Sequence, residues 1–102
     1  MMQFILQTQS DQEVVLSLYG ELVGAEVQLL EQEGRRHRQT AYRLVLELDG
    51  VPFVGDTGLA LLHRWAGPRL MLRGGSPFLR ALLRAEGLEV SPNSAARTKK
   101  GR

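Results

Sequence analysis

The sequence predicts a single α/β domain with a mostly parallel sheet of four to five strands, an antiparallel strand at one edge, and about three to four helices. Three observations predict it. Two apolar runs near the start are separated only by Ser10-Asp11-Gln12, a spacing suited to a hairpin. Beyond them, helical and extended patterns alternate to about residue 90, the order that builds parallel strand–helix–strand units. Leu44, Val45, Leu46 and Leu48 form a nearly continuous apolar run, as expected of a central strand covered on both faces.

The elements follow in order. Residues 4–8 and 13–19 read as the hairpin strands. In the second, Val14, Leu16 and Leu18 alternate with Val15, Ser17 and Tyr19, so one face is the more apolar. Residues 22–33 read as a helix with Leu22, Ala25, Leu29 and Leu30 on one stripe. Gly34 is the expected stop, and residues 35–40 follow as a polar loop. Residues 42–49 are the third strand, after which Val51 and Phe53 are expected to tuck under the chain. Residues 58–66 form a helix, with Leu59, Leu62 and Ala66 on one stripe and Leu61 and Trp65 beside it; Gly67-Pro68 ends it. Residues 69–73 are a fourth strand around Leu70 and Leu72, and Gly74-Gly75 turns the chain. Ser76-Pro77 opens a helix with a cap and a proline at its first position; Phe78, Leu79, Leu82 and Leu83 are expected inside. Gly87 ends that helix, and residues 88–90 make a short last strand.

Bulk properties narrow the function. With 102 residues and 43% hydrophobic content, the chain is one ordinary globular domain, residues 1–90, followed by a basic tail, residues 91–102, expected to be disordered. The formal net charge is +2, but the tail holds Arg97, Lys99, Lys100 and Arg102 and no acid. Residues 1–90 therefore keep nine basic against 11 acidic side chains, a poor footprint for direct nucleic-acid binding. The absence of cysteine excludes disulfides, thiolate metal sites and thiol catalysis. No run approaches the ~18 apolar residues of a membrane span, and Gln3, Gln7 and Gln9 break up the early apolar stretch. A cytoplasmic location is expected.

Residues 44–62 read LVLELDGVPFVGDTGLALL. A hydrophobic strand, an acid, a Gly-Val-x-Phe link and a turn with a hydroxyl before Gly-Leu resemble the STAS domain family, the fold of bacterial anti-sigma factor antagonists. Leu16-x-Leu18-x-Gly20-Glu21-Leu22, Leu70-Met71-Leu72-Arg73-Gly74 and Glu86-Gly87-Leu88 are similar to other parts of that fold. The resemblance spans residues 3–90. The family turn commonly reads Asp-Ser-Ser-Gly-Leu. Aligning Gly58-Leu59 with its end places Thr57 on the second serine, the phosphoryl acceptor of the antagonists. Asp56 replaces the first serine and Gly55 the aspartate.

The resemblance implies a non-catalytic interaction module that binds a serine-kinase-like anti-sigma partner. The surface would comprise Gly55, Asp56, Thr57, Gly58, Leu59 and His63, with Thr57 as the candidate phosphoryl acceptor. A phosphate there adds about −1.5 to −2 charge beside unpaired helix N–H groups. Asp56 leaves three consequences open: slower phosphorylation, partial imitation of the modified state, or constitutive binding. On local preferences alone, Asp56 and Thr57 read as helix N-caps worth about 1 kcal/mol. The alternative partner is the ATPase of a lipid-transport ABC complex, because Gly58-Leu59-Ala60-Leu61-Leu62-His63 is similar to the STAS subunits of those assemblies.

The remaining features point to no cofactor, metal or catalyst. Arg35, Arg36, His37 and Arg38 form a basic cluster without interleaved aromatics and read as a solvated loop. His37 and His63 lack metal-ligand spacing; His63 reads as a surface or boundary residue, and Trp65 as partly buried. Gly74-Gly75 lacks the longer pattern of a phosphate loop. No nucleophile–base–orienter set is present.

Overall fold

The computed structural model describes residues 2–92. The expected tail lies outside them, apart from Ser91 and Pro92. Ser10 begins the fold locally: its hydroxyl accepts the Gln12 and Glu13 N–H groups at 3.2 and 3.1 Å. This closes the hairpin between β1 (Gln3–Gln9) and β2 (Glu13–Tyr19). Then follow α1 (Ala25–Arg38), β3 (Arg43–Gly50), α2 (Asp56–Trp65), β4 (Leu70–Arg73), α3 (Pro77–Ala85) and β5 (Val90–Ser91).

The five strands lie in the order β1-β2-β3-β4-β5. β1 is antiparallel to β2, and the other pairings are parallel. Register matches Leu16 to Leu46 and Leu46 to Leu72, so one alternating set of leucines forms a continuous face. Parallel crossovers that advance in one direction place their helices on the same face. Accordingly, Val27, Leu30, Leu61, Leu62, Leu79 and Leu83 of the helices share one buried cluster with Leu16, Leu18, Leu44, Leu46, Leu48 and Leu72.

The opposite face carries no described helix, contrary to the expected cover on both sides. Val15 and Val45 are buried there nonetheless, side by side in register. Next to them runs a polar row across four strands. Gln7 Nε2 donates to Ser17 Oγ at 3.1 Å, Ser17 Oγ to Glu47 at 2.8 Å, and Arg73 to Glu47 at 2.6 and 3.2 Å. Burial alone would raise the Glu47 carboxyl, but the bonds from Ser17 and Arg73 and the Arg73 charge outweigh it and hold the group low.

Several sequence expectations are corrected. Gly34 does not stop α1; it lies inside the helix where α1 crosses α2. A Cβ on Gly34 would stand 2.8 Å from Trp65 Cζ3 and 3.3 Å from Leu44 Cδ2, so glycine permits the close approach. Arg35, Arg36, His37 and Arg38 consequently form the last turn of α1, where positive charge suits the helix dipole. Arg35 pairs with Glu31 at 3.0 Å, and Arg36 with Glu33 at 2.6 Å. His37 is buried, with Nε2 3.2 Å from Glu33. The inward stripe of α1 is Val27, Leu30, Gly34 and His37, with Ala25 and Leu29 exposed. The phase differs because Leu22 bridges to Val54 before the helix begins. On α2, Leu61 and Leu62 are the fully buried leucines, Leu59 and Trp65 are partly buried, and Ala66 is exposed. Arg38 stacks over the Trp65 ring at 5.3 Å.

The cap expected for α3 is present: Ser76 Oγ accepts the Leu79 N–H at 3.1 Å. Leu79 and Leu83 face inward one turn apart, and Leu82 is half-buried. Phe78 is 69% exposed, contrary to expectation, because it lies one residue off that stripe.

Candidate functional site

The segment leading into α2 is held by backbone bonds to residues before α1. Leu22 N–H donates to the Phe53 carbonyl at 2.9 Å, and Gly55 N–H donates to the Leu22 carbonyl at 3.0 Å. These bonds add a short rung beyond the main sheet. They fix the turn's backbone at the C-terminal ends of the parallel strands, where open α/β sheets commonly bind ligands.

α2 starts two residues earlier than the sequence suggests. Gly55 occupies the cap position in an extended conformation, φ −85° and ψ −177°, and no side chain caps the helix. Asp56 and Thr57 are therefore in the first turn, and neither acts as a cap. The first intrahelical bond joins Leu59 N–H to the Gly55 carbonyl at 2.9 Å. The N–H groups of Asp56, Thr57 and Gly58 precede it, in the region that favours negative charge.

The six residues expected at this surface divide by environment. Asp56 and Thr57 are exposed, and their side chains form no hydrogen bond or ion pair among the described residues. Gly58 is buried: a Cβ there would lie 2.8 Å from the Leu22 carbonyl oxygen and 2.9 Å from Val54 Cγ1. Gly55 and Leu59 are half-buried, and Leu59 packs against the core. His63 is exposed farther along α2, with Nε2 4.0 Å from Glu86 Oε1. Six residues at 1.5 Å rise separate it from Thr57 by about 9 Å along the helix. The turn thus gathers Asp56 and Thr57 at one point, while His63 belongs to the helix flank.

Phe53 was missed as a surface residue. It is 47% exposed, and its Cε2 lies 3.7 Å from the Cβ position of Gly55. Val51 and Val54 occupy the buried positions on either side of Pro52-Phe53. The two valines fill the buried positions, and no local pattern in the sequence marks Phe53 as the side chain left outside.

No group of three or more His, Asp or Glu residues able to hold a metal occurs among the described residues. A groove of about 430 Å³ lined by Ala66, Pro68, Leu70, Leu72 and Leu88 lies at the far end of α2, away from Thr57. No helix among the described residues is long and apolar enough to cross a membrane.

Comparisons with known proteins agree with this architecture. Among curated proteins, no sequence matches the chain. Among solved structures, the chain is similar to the anti-sigma factor antagonist SpoIIAA in its unphosphorylated form, with TM-score 0.72 and 21% identity over 94% of this chain and 92% of that one. It is similar to an anti-sigma factor antagonist from Mycobacterium paratuberculosis, with TM-score 0.72 and 22% identity over 94% and 90%. The phosphorylated form of the Bacillus cell fate determinant SpoIIAA gives TM-score 0.63 and 20% identity over 98% and 100%. These likenesses establish the shared fold. The family model described as "Mlab, STAS domain" matches residues 5–90. That match covers most of the chain, and the chain belongs to the STAS domain family.

Proposed function

We propose that this protein is a non-catalytic interaction module of the anti-sigma factor antagonist type. It binds a serine-kinase-like anti-sigma partner through residues 55–59 and the exposed flank of α2 that includes His63. Thr57 is its phosphoryl acceptor. The observation that carries the proposal is the Thr57 side chain: exposed, without a partner among the described residues, and in a first turn that no side chain caps. A phosphate on Thr57 meets the free N–H groups of that turn and adds about −1.5 to −2 charge to the docking surface. Asp56 tempers the switch, because a neighbouring carboxylate opposes a second anion. Unmodified protein engages the partner, and modification releases it. Incubation with a cognate anti-sigma kinase and ATP is expected to add one phosphate, which Thr57→Ala abolishes. Absence of phosphate in a competent kinase reaction overturns this assignment.

A second reading assigns the chain to the ATPase of a lipid-transport ABC complex. The likeness of residues 58–63 to such subunits favours it, as does replacement of the two residues before Thr57. In that case affinity capture recovers an ABC ATPase, and Thr57→Glu weakens the contact. Recovery of a histidine-kinase-like ATPase alone removes this reading.

A further inference from the structure

Phe53 combines exposure with a fixed position. Its side chain is 47% exposed. Its backbone is held against the segment before α1: the Phe53 carbonyl accepts the Leu22 N–H at 2.9 Å, and the Gly55 N–H donates to the Leu22 carbonyl at 3.0 Å. Val51 and Val54 occupy the core positions beside it, so the ring stays outside. Other apolar groups adjoin it. A Cβ on Gly55 would lie 3.7 Å from Phe53 Cε2 and 3.0 Å from Val23 Cγ1. Gly55 therefore leaves the Phe53 ring and the half-buried Val23 side chain flanking one bare backbone position. This apolar patch ends where Asp56 and Thr57 begin.

The rim of the patch is acidic. Glu21 precedes Leu22, and Asp56 follows Gly55. Both are exposed, and neither forms an ion pair among the described residues. An aromatic anchor inside a polar rim is the usual anatomy of an interface hot spot. A ring fixed in advance adds little ordering cost when a partner covers it. The other exposed aromatics, Tyr19, Tyr42 and Phe78, lie on β2, just before β3 and on α3, outside the segment that Leu22 holds.

We propose that Phe53, Gly55 and Val23 form the apolar anchor by which the anti-sigma partner grips the Thr57 turn. The partner presents an apolar pocket to the Phe53 ring and lysine or arginine to Glu21 and Asp56. The assignment rests on residues 55–59 being the docking surface, as proposed above. The patch is continuous with that surface: Gly55 belongs to both and stands two residues before Thr57. A protein that encloses the Thr57 hydroxyl therefore covers the patch as well. Asp56 and Thr57 offer only small polar side chains, so the anchor supplies affinity and Thr57 supplies the switch. The acidic rim selects a basic partner surface, because like charge there opposes docking.

Calorimetric titration of the full unphosphorylated chain with its purified cognate anti-sigma kinase, without ATP, tests the anchor. Phe53→Gln is expected to raise Kd by about tenfold or more. Val23→Thr exchanges one methyl for a hydroxyl at nearly constant shape and is expected to raise Kd by about fivefold. It carries the test even if Phe53→Gln perturbs folding. Glu21→Lys is expected to raise Kd, and added salt to weaken the parent complex. Ile5→Gln removes an apolar side chain of similar exposure, 46%, from β1 and is expected to bind as the parent does. Parent-like binding by both Phe53→Gln and Val23→Thr overturns the anchor, as does an equal loss in Ile5→Gln. A parent chain that neither binds this kinase nor, with ATP, takes phosphate from it overturns instead the partner assignment on which the anchor rests.

Discussion

Gly58→Ala is expected to destabilise the domain although alanine is the better helix former. On propensity alone, the change favours the helix by up to about 1 kcal/mol, less in a first turn. The structure opposes this. The new Cβ would lie 2.8 Å from the Leu22 carbonyl oxygen, 2.9 Å from Val54 Cγ1 and 3.0 Å from Leu22 Cγ. The nearest obstacle is backbone and cannot rotate away. That carbonyl also accepts the Gly55 N–H at 3.0 Å, so displacing it disturbs the bond that fixes the turn. Overpacking of this kind costs about 1–3 kcal/mol. Set against the helix gain, a net loss of about 1–2 kcal/mol remains, which lowers Tm by roughly 4–16 °C in a domain of this size. Urea denaturation followed by circular dichroism measures it, with an unchanged m-value expected. A variant as stable as the parent would refute the close contact between α2 and the Leu22 segment, and with it the account of how the turn is held.

Gly34→Ala tests the crossing of α1 and α2. It is expected to cost about 1–2 kcal/mol net of helix propensity and to shift the emission of Trp65, the single tryptophan, whose ring the new methyl would displace. Ser76→Ala removes the hydroxyl that accepts the Leu79 N–H and is expected to cost about 1 kcal/mol by thermal denaturation. The Glu47 carboxyl is held low in the fold, so the unfolded chain protonates it first as pH falls. Its stabilisation is complete above the unfolded value of about 4.3 and declines as pH drops through the folded value. Glu47→Gln is expected to lower stability at neutral pH and flatten the acid limb of a stability–pH curve. Glu33, also held low despite burial by its bonds from Arg36 and His37, retains part of the slope.

Local features of the sequence were legible where neighbours in the chain decide the structure. The Ser10 turn, the alternation in β2, the Ser76-Pro77 cap and the Gly87 stop each depend on contacts within a few residues. The strand–helix alternation gave the parallel sheet, and residues 44–62 carried the family resemblance. Thr57 and its turn could be singled out from that run, although the point at which α2 begins could not. Asp and Thr before Gly-Leu satisfy ordinary cap preferences, and only the pairing of Gly55 with Leu22 moves the cap upstream.

By itself, the sequence therefore determined the order of elements, the mixed sheet and the place of the Thr57 turn, because periodicity, turn chemistry and caps act over short distances. Only the tertiary structure decided what the glycines do and which side chains remain outside. Gly34 looks like a helix stop until Trp65 arrives beside it, and Gly58 like an ordinary first residue of a helix until Leu22 packs against it. Phe53 and Phe78 look like core until the positions beside them fill the available space. The Gln7–Ser17–Glu47–Arg73 row exists only once four strands are in register. Each of these outcomes depends on segments distant in the chain meeting at close range, and no local pattern records that meeting.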